Sequence, residues 1–330
     1  EYQIDSDVSS REKRDRNTYT YGCLNCRSFL DYKVGSLARM IALDALDMHN
    51  VYFDIAWPRS CDNTEHGCGW VDEFGQHQTT FDIAGTREFY LRAYKLLRRK
   101  YPDAMFAGHL TSTRTPADSF FDILVRGEVY DRKVAERGSY FDVFHPVGLR
   151  ISEASRSNEQ SIWILSQFTR SLLLFRPAEY SRFKQNDPET DRAIRHYLGY
   201  LLLHNLVNWG TDVSEREKAV FAAQDRLGWN ENIVFHPYWE KQNPVKILNP
   251  ESDRMLVSAY ANGGKALAVL MNDTDLTRKM NLKFDTDMLG LSQEQEAVEM
   301  FSSGIYRLSG GALSLDMKPR EAKFLLFDVK

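Results

Sequence analysis

The chain has 330 residues, 43% of them apolar and 27% charged, with a formal charge of −4. That is an ordinary globular composition, long enough for one large domain and a small one. The two signs of charge are interspersed, so no basic face for nucleic acid is expected, and no apolar run reaches the about 18 to 20 residues of a membrane span.

In chain order, residues 1–20 are polar and charged and are expected to be loop or linker. Short β-prone runs then alternate with amphipathic stretches of helical length. "TYTYGCL" precedes a helix expected over 34–49, and "NVYFDIA" precedes one over 86–101, where Phe89, Tyr90, Ala93, Leu96 and Leu97 share a face. "AMFAGHL", "FDILVRGE", "SIWILSQF" and "HNLVNWG" follow, with further helices expected over 129–137 and 191–203. Strands alternating with helices predict parallel β-structure with right-handed crossovers. Six such strands are expected over 21–247, and a closed (β/α)₈ barrel needs eight. The expectation is therefore a barrel whose first two strands lie upstream in the same protein, with an open α/β sheet as the alternative. From residue 248 to 330 the pattern changes to alternating strands separated by Asn-Gly-Gly, Ser-Gly and Gly-Gly turns, which predicts a small antiparallel β-sandwich.

Polar residues recur at the C-terminal ends of the expected parallel strands, where a barrel keeps its active site. Asp54 closes "VYFD" and Glu128 closes "FDILVRGE" after Gly127. Hydrolysis of a glycosidic bond needs two carboxyl groups, one to protonate the leaving oxygen and one to attack or to activate water. Asp54 is the expected nucleophile or base and Glu128 the general acid; pairing with Arg59, Arg126 or Arg132 is the structural alternative. Adjacent Asp72 and Glu73 suit a second route, in which a substrate's own 2-acetamido group attacks, and Glu73 is also the reserve acid. His109, His145 and Gln167 offer hydrogen bonds to sugar hydroxyls, and Trp57, Trp70 and Trp209 offer flat apolar faces.

Cys23, Cys26, Cys61 and Cys68 all fall in the first fifth of the chain. With His66 they could ligate a metal, but tight C-x-x-C pairs usually occur twice in such sites, and here the second spacing is C-x₆-C. A disulfide bracing the loop, or buried thiols, is the expectation; no metal and no cofactor is assigned. No P-loop, dinucleotide fingerprint, nucleophile elbow or zincin motif occurs in a suitable context.

The run "YFD…CDN…HGCG…DE.G", the "TREF" helix start at Thr86 to Phe89, and Gly127-Glu128 resemble secreted bacterial glycoside hydrolase-like proteins related to glycoside hydrolase family 123. The resemblance covers residues 21–168 and beyond them extends only to the layout. It implies a (β/α)₈ catalytic barrel preceded by more β-structure and followed by a small sandwich, in a secreted or periplasmic protein acting on a polysaccharide or glycan. Members act on β-linked N-acetylgalactosamine with an adjacent Asp-Glu pair at a strand end. Here Asp54 is followed by Ile55 instead, and the nearby Asp-Glu pair, Asp72-Glu73, is in the loop. The expected function is thus a glycoside hydrolase. The rivals are a substrate-assisted N-acetylhexosaminidase, a non-catalytic carbohydrate-binding barrel, and a polysaccharide lyase using His109 or His145 as base.

Overall fold

A computed structural model describes residues 3–4, 21–110, 117–127, 141, 143–150, 161–165, 188–209, 215–248 and 250–328. The chain divides into two compact units, Glu1–Arg126 with Asn158–Ser161, and Gly127–Ser157 with Ile162–Lys330.

In the first unit, β1 (Gln3–Ile4) pairs antiparallel with β2 (Tyr21–Gly22). The segment expected to give a barrel strand from "TYTYGCL" therefore joins an antiparallel ribbon instead. Helix α1 (Arg27–Ala42) buries Leu30, Val34, Leu37 and Ile41, spaced four, three and four residues apart along one face. It starts and ends seven residues earlier than the expected 34–49. Arg27 pairs with Asp31 one turn on, which favours helix at the N-terminal end, while Asp44–Leu46 tighten into a 3₁₀ turn closed by left-handed Asp47.

Strand β3 (Val51–Phe53) follows. The loop after it contains β4 (Ser60–Cys61), β5 (Trp70–Val71), β6 (His77–Gln78) and β7 (Thr80–Phe81). Helix α2 (Ile83–Lys100) crosses to β8 (Phe106–His109), and β9 (Ile123–Arg126) completes a parallel set in the order β3–β8–β9. The core beneath these strands is aromatic: the Phe53 ring lies 5.3 to 6.2 Å from Tyr90, Phe89, Phe106 and Phe121. Gly108 makes that packing possible, since a Cβ there would sit 2.6 Å from the Phe121 ring.

The second unit begins with the short helix α3 (Pro146–Leu149) and β10 (Ser161–Leu165), most of which belongs to this unit. After α4 (Pro188–Leu203), β11 (Val207–Trp209) pairs parallel with β10, and α5 (Glu215–Leu227) follows. Then come β12 (Val234–His236), β13 (Val245–Ile247), β14 (Met255–Asn262), β15 (Lys265–Asn272), β16 (Arg278–Phe284), the single turn α6 (Thr286–Leu289), β17 (Glu296–Glu299), β18 (Ile305–Arg307), β19 (Ala312–Met317) and β20 (Glu321–Phe327). They form a six-stranded antiparallel sheet, β12–β14–β15–β20–β17–β18, and a three-stranded one, β13–β16–β19. Both sheets contribute to one apolar core that includes Val257, Leu270, Leu282, Phe284, Leu325 and Phe327. Strands β12 and β13 lie ahead of residue 248, so the antiparallel region starts earlier than expected; both are too short for their alternation to be legible.

Gly263 and Gly264, both at positive φ, turn β14 into β15, as the Asn-Gly-Gly signal predicts. Gly199 lets α4 approach the larger sheet, where a Cβ would meet Ala322 and Met271 at 2.7 Å. Fully buried Asp273 accepts hydrogen bonds from His196, Tyr200, Arg254 and Arg320. Burial opposes its charge, but the hydrogen bonds from His196, Tyr200 and Arg254 outweigh that and hold the carboxyl below its usual range.

Candidate functional site

In the first unit the parallel strands point their C-terminal ends the same way, and the polar residues that follow them define the site. Asp54 leaves β3 and His109 ends β8. Their side chains meet, with His109 Nδ1 2.7 Å from Asp54 Oδ1. The Tyr52 hydroxyl and the Ile55 backbone N–H donate to that same oxygen at 3.3 and 3.0 Å. Among the described residues Asp54 Oδ2 has no partner. The Asp54 side chain is 60% exposed while His109 is buried. One carboxylate oxygen is thus held by three contacts, on a side chain that is largely exposed.

The backbone fixes this posture. Ile55 adopts a left-handed conformation (φ 53°), which costs a β-branched residue about 1 to 3 kcal/mol. The next amide, Ala56 N–H, donates to His109 O at 3.0 Å and latches the turn onto β8. Asp54 and His109 both fall at strand ends in the sequence, but no local signal pairs them. Their neighbourhood follows from the parallel register, which sets Phe53 opposite Gly108.

Loop residues 57–82 fold by polar anchoring. β4 pairs with β7, and β5 with β6. Asp82, which no motif singles out, is buried and accepts from Leu24 N–H, Arg59 N–H and the Thr86 hydroxyl at 3.0, 2.6 and 3.1 Å. Its only sequence signal is its place just ahead of α2.

Asp72 is committed to its own hairpin. It accepts from Phe74 N–H, Gln76 N–H and Gln78 Nε2 at 2.8 to 3.0 Å, and the Gln76 amide above all holds its carboxyl below the usual range. A carboxylate so occupied has little left for orienting a substrate acetamide. Glu73 beside it is exposed at the turn. Trp70 on β5 is exposed, whereas Trp57 is half-buried with the Arg59 guanidinium 4.7 Å from its ring centre, which covers one face. His145, in the second unit, is exposed and caps α3. Trp209 ends β11. Glu128 and Gln167 lie outside the described residues.

The cysteines divide differently from their spacing. All four are free and buried, so of the two expectations the thiols are buried and form no disulfide brace. Cys26 turns away, its Sγ 3.4 Å from the Ser28 hydroxyl. Cys23, Cys61, Cys68 and His66 instead converge, with their ligand atoms all within 4.8 Å of one another. The "HGCG" run has a conformational reason. Gly67 (φ 80°) closes the 3₁₀ turn Thr64–His66, and at Gly69 (φ 78°) a Cβ would lie 2.7 Å from Asp62 O. Those two glycines fold Cys68 back toward Cys61.

No protein-family model matches the sequence, and no curated protein matches it. Among solved structures the chain is similar to an alpha-amylase from Anoxybacillus, with a TM-score of 0.59 and 11% identity over 100% of this chain and 70% of that one. It is also similar to a noncanonic maltogenic alpha-amylase from Thermotoga neapolitana (TM-score 0.55, 12% identity, 99% and 75% covered). An alpha-amylase from Geobacillus thermoleovorans gives 0.56 at 12% identity, with 99% and 71% covered. At such identities the likeness carries the fold. These are TIM-barrel enzymes with a β-rich C-terminal part; among the described residues there are partial barrel-like sheets, with three parallel strands in one unit and, separately, two in the other.

Proposed function

We propose that this chain is a glycoside hydrolase acting on a polysaccharide or glycan by carboxylate chemistry at the C-terminal strand ends. The observation that carries the reading is the largely exposed Asp54 carboxylate, with one oxygen clamped by His109, Tyr52 and Ile55 and the other without a partner among the described residues. The amylase-like fold supports the same place for the chemistry. Asp54 acts as nucleophile or base. Glu128, two residues past the end of β9 in sequence, is the general acid, and exposed Trp70 offers a sugar ring a flat face. On the resemblance of residues 21–168, we place it with the secreted or periplasmic proteins related to family 123. The three hydrogen bonds that occupy Asp72 weigh against the acetamide-assisted route.

The test is turnover of plain and N-acetylated glycosides and glycans by the full chain and its variants. Asp54→Asn and Glu128→Gln are expected to lower kcat by about 10³-fold or more while sugar binding and melting stay unchanged. Activity confined to N-acetylated substrates, surviving Asp54→Asn and lost in Glu73→Gln, would move the chemistry to the loop. Sugar binding without turnover by the unmodified chain would leave a carbohydrate-binding barrel.

A further inference from the structure

We infer that Cys23, Cys61, His66 and Cys68 form a structural zinc site that closes the loop beside Asp54. The inference is independent of the glycosidase reading.

Three observations converge on it. The first is geometry. A tetrahedral ion with Zn–S of about 2.3 Å and Zn–N of about 2.0 Å needs ligand edges of about 3.8 Å between sulfurs and about 3.5 Å between sulfur and nitrogen. Cys23 Sγ and Cys68 Sγ are 3.7 Å apart, and Cys61 Sγ lies 3.3 Å from His66 Nε2. A disulfide would bring two of these sulfurs to about 2.05 Å. The second is the donor set: three thiols and one imidazole suit a borderline-soft tetrahedral ion and suit calcium or magnesium poorly.

The third is the surrounding shell. The Asn25 amide donates from Nδ2 to Cys68 Sγ at 3.4 Å, and its orientation is fixed because Oδ1 accepts from Gly85 N–H at 3.1 Å. An N–H aimed at a sulfur supports thiolate character, as outer partners of metal ligands do. Binding would release the three thiol protons to solvent and leave a ZnS₃N centre with one net negative charge.

Four protein ligands fill the coordination sphere and leave no position for water, so the ion is structural rather than hydrolytic. Its effect is topological. It ties Cys23, ahead of α1, to the segment 61–68 that follows the Asp54 turn. Cys26 is excluded, so the ligand spacing is not the C-x-x-C that the sequence displays.

The experiment is metal analysis of the full chain purified without reductant or chelator, after growth with added zinc. One zinc per chain is expected, with Cys23, Cys61 and Cys68 unreactive to a thiol reagent until a chelator strips the ion. The stripped chain should take up Co²⁺ and show the visible absorption of a tetrahedral cobalt thiolate. Cys61→Ser and His66→Ala should lose the zinc, and Cys26→Ser should keep it. Four free thiols that take up neither zinc nor cobalt would overturn the proposal. So would a disulfide among the three sulfurs in the unmodified chain, or zinc retained by His66→Ala and lost by Cys26→Ser. The cobalt spectrum and thiol count of the unmodified chain decide the matter even if a variant does not fold.

Discussion

Loop 57–82 and the antiparallel sheets of the second unit are built on opposite principles. The sheets are long, regular and apolar: β14 and β15 pair over eight residues each, and nearly every side chain between Met255 and Asn272 that is not in the turn is buried. The loop has strands of two residues and few buried apolar side chains, and it stands on Asp82, Asp72, Asn63 and a knot of thiols. Burial is non-directional and tolerates small displacements, whereas a hydrogen bond or a ligand set fails over an ångström. The contrast teaches that the candidate site is positioned by directional contacts of the kind that hold reacting groups in place.

The largest expected effect breaks the apolar side of the comparison. Phe324 is fully buried, with the Phe301 ring 4.6 Å away, and Phe324→Ala should destabilise the second unit by about 3 to 5 kcal/mol in chemical denaturation. Acid should act on the same unit through His204. Burial pushes this imidazole down to about 4 from 6.5, against hydrogen bonds to the carbonyls of Tyr200 and Pro146. A depressed folded-state value means that the unfolded chain binds the proton first. The stabilisation is complete above pH 6.5 and is lost as pH falls toward 4, a span worth about 3 kcal/mol. Buried His196 shifts in the same direction. Denaturation at pH 7 and at pH 4.5 should show the loss, and His204→Gln should flatten it.

The polar side should yield to smaller changes and yield locally. Asp82→Ala leaves the Leu24 and Arg59 amides without their acceptor and should cost about 1 to 3 kcal/mol, with faster hydrogen exchange at both amides and unchanged protection in β14 and β15. Uniform loss of protection across both regions would erase the distinction. Gly69→Ala should have the smallest effect on global stability, about 1 kcal/mol or somewhat more, because positive φ and the Asp62 carbonyl both resist a methyl group. A crystal structure of that variant should show Cys68 displaced from Cys61.

Much of the order of elements is legible along the chain. Parallel strands within "AMFAGHL" and "FDILVRGE" and glycine turns in the C-terminal region were legible because periodicity, turn chemistry and apolar runs are local signals. So was the position of Asp54 at a strand end. The ends of α1, the ribbon made by β2 and the early start of the antiparallel sheets were not, since each depends on a partner distant in the chain or on strands of two or three residues. Only the tertiary structure decided that His109 clamps Asp54, that Asp82 anchors the loop, and that Cys26 stands apart while His66 joins the other three cysteines. The Asp54–His109 contact spans 55 residues and that of Cys23 with Cys68 spans 45. No periodicity encodes such distances, because the register of two strands and the sign of one φ angle set them.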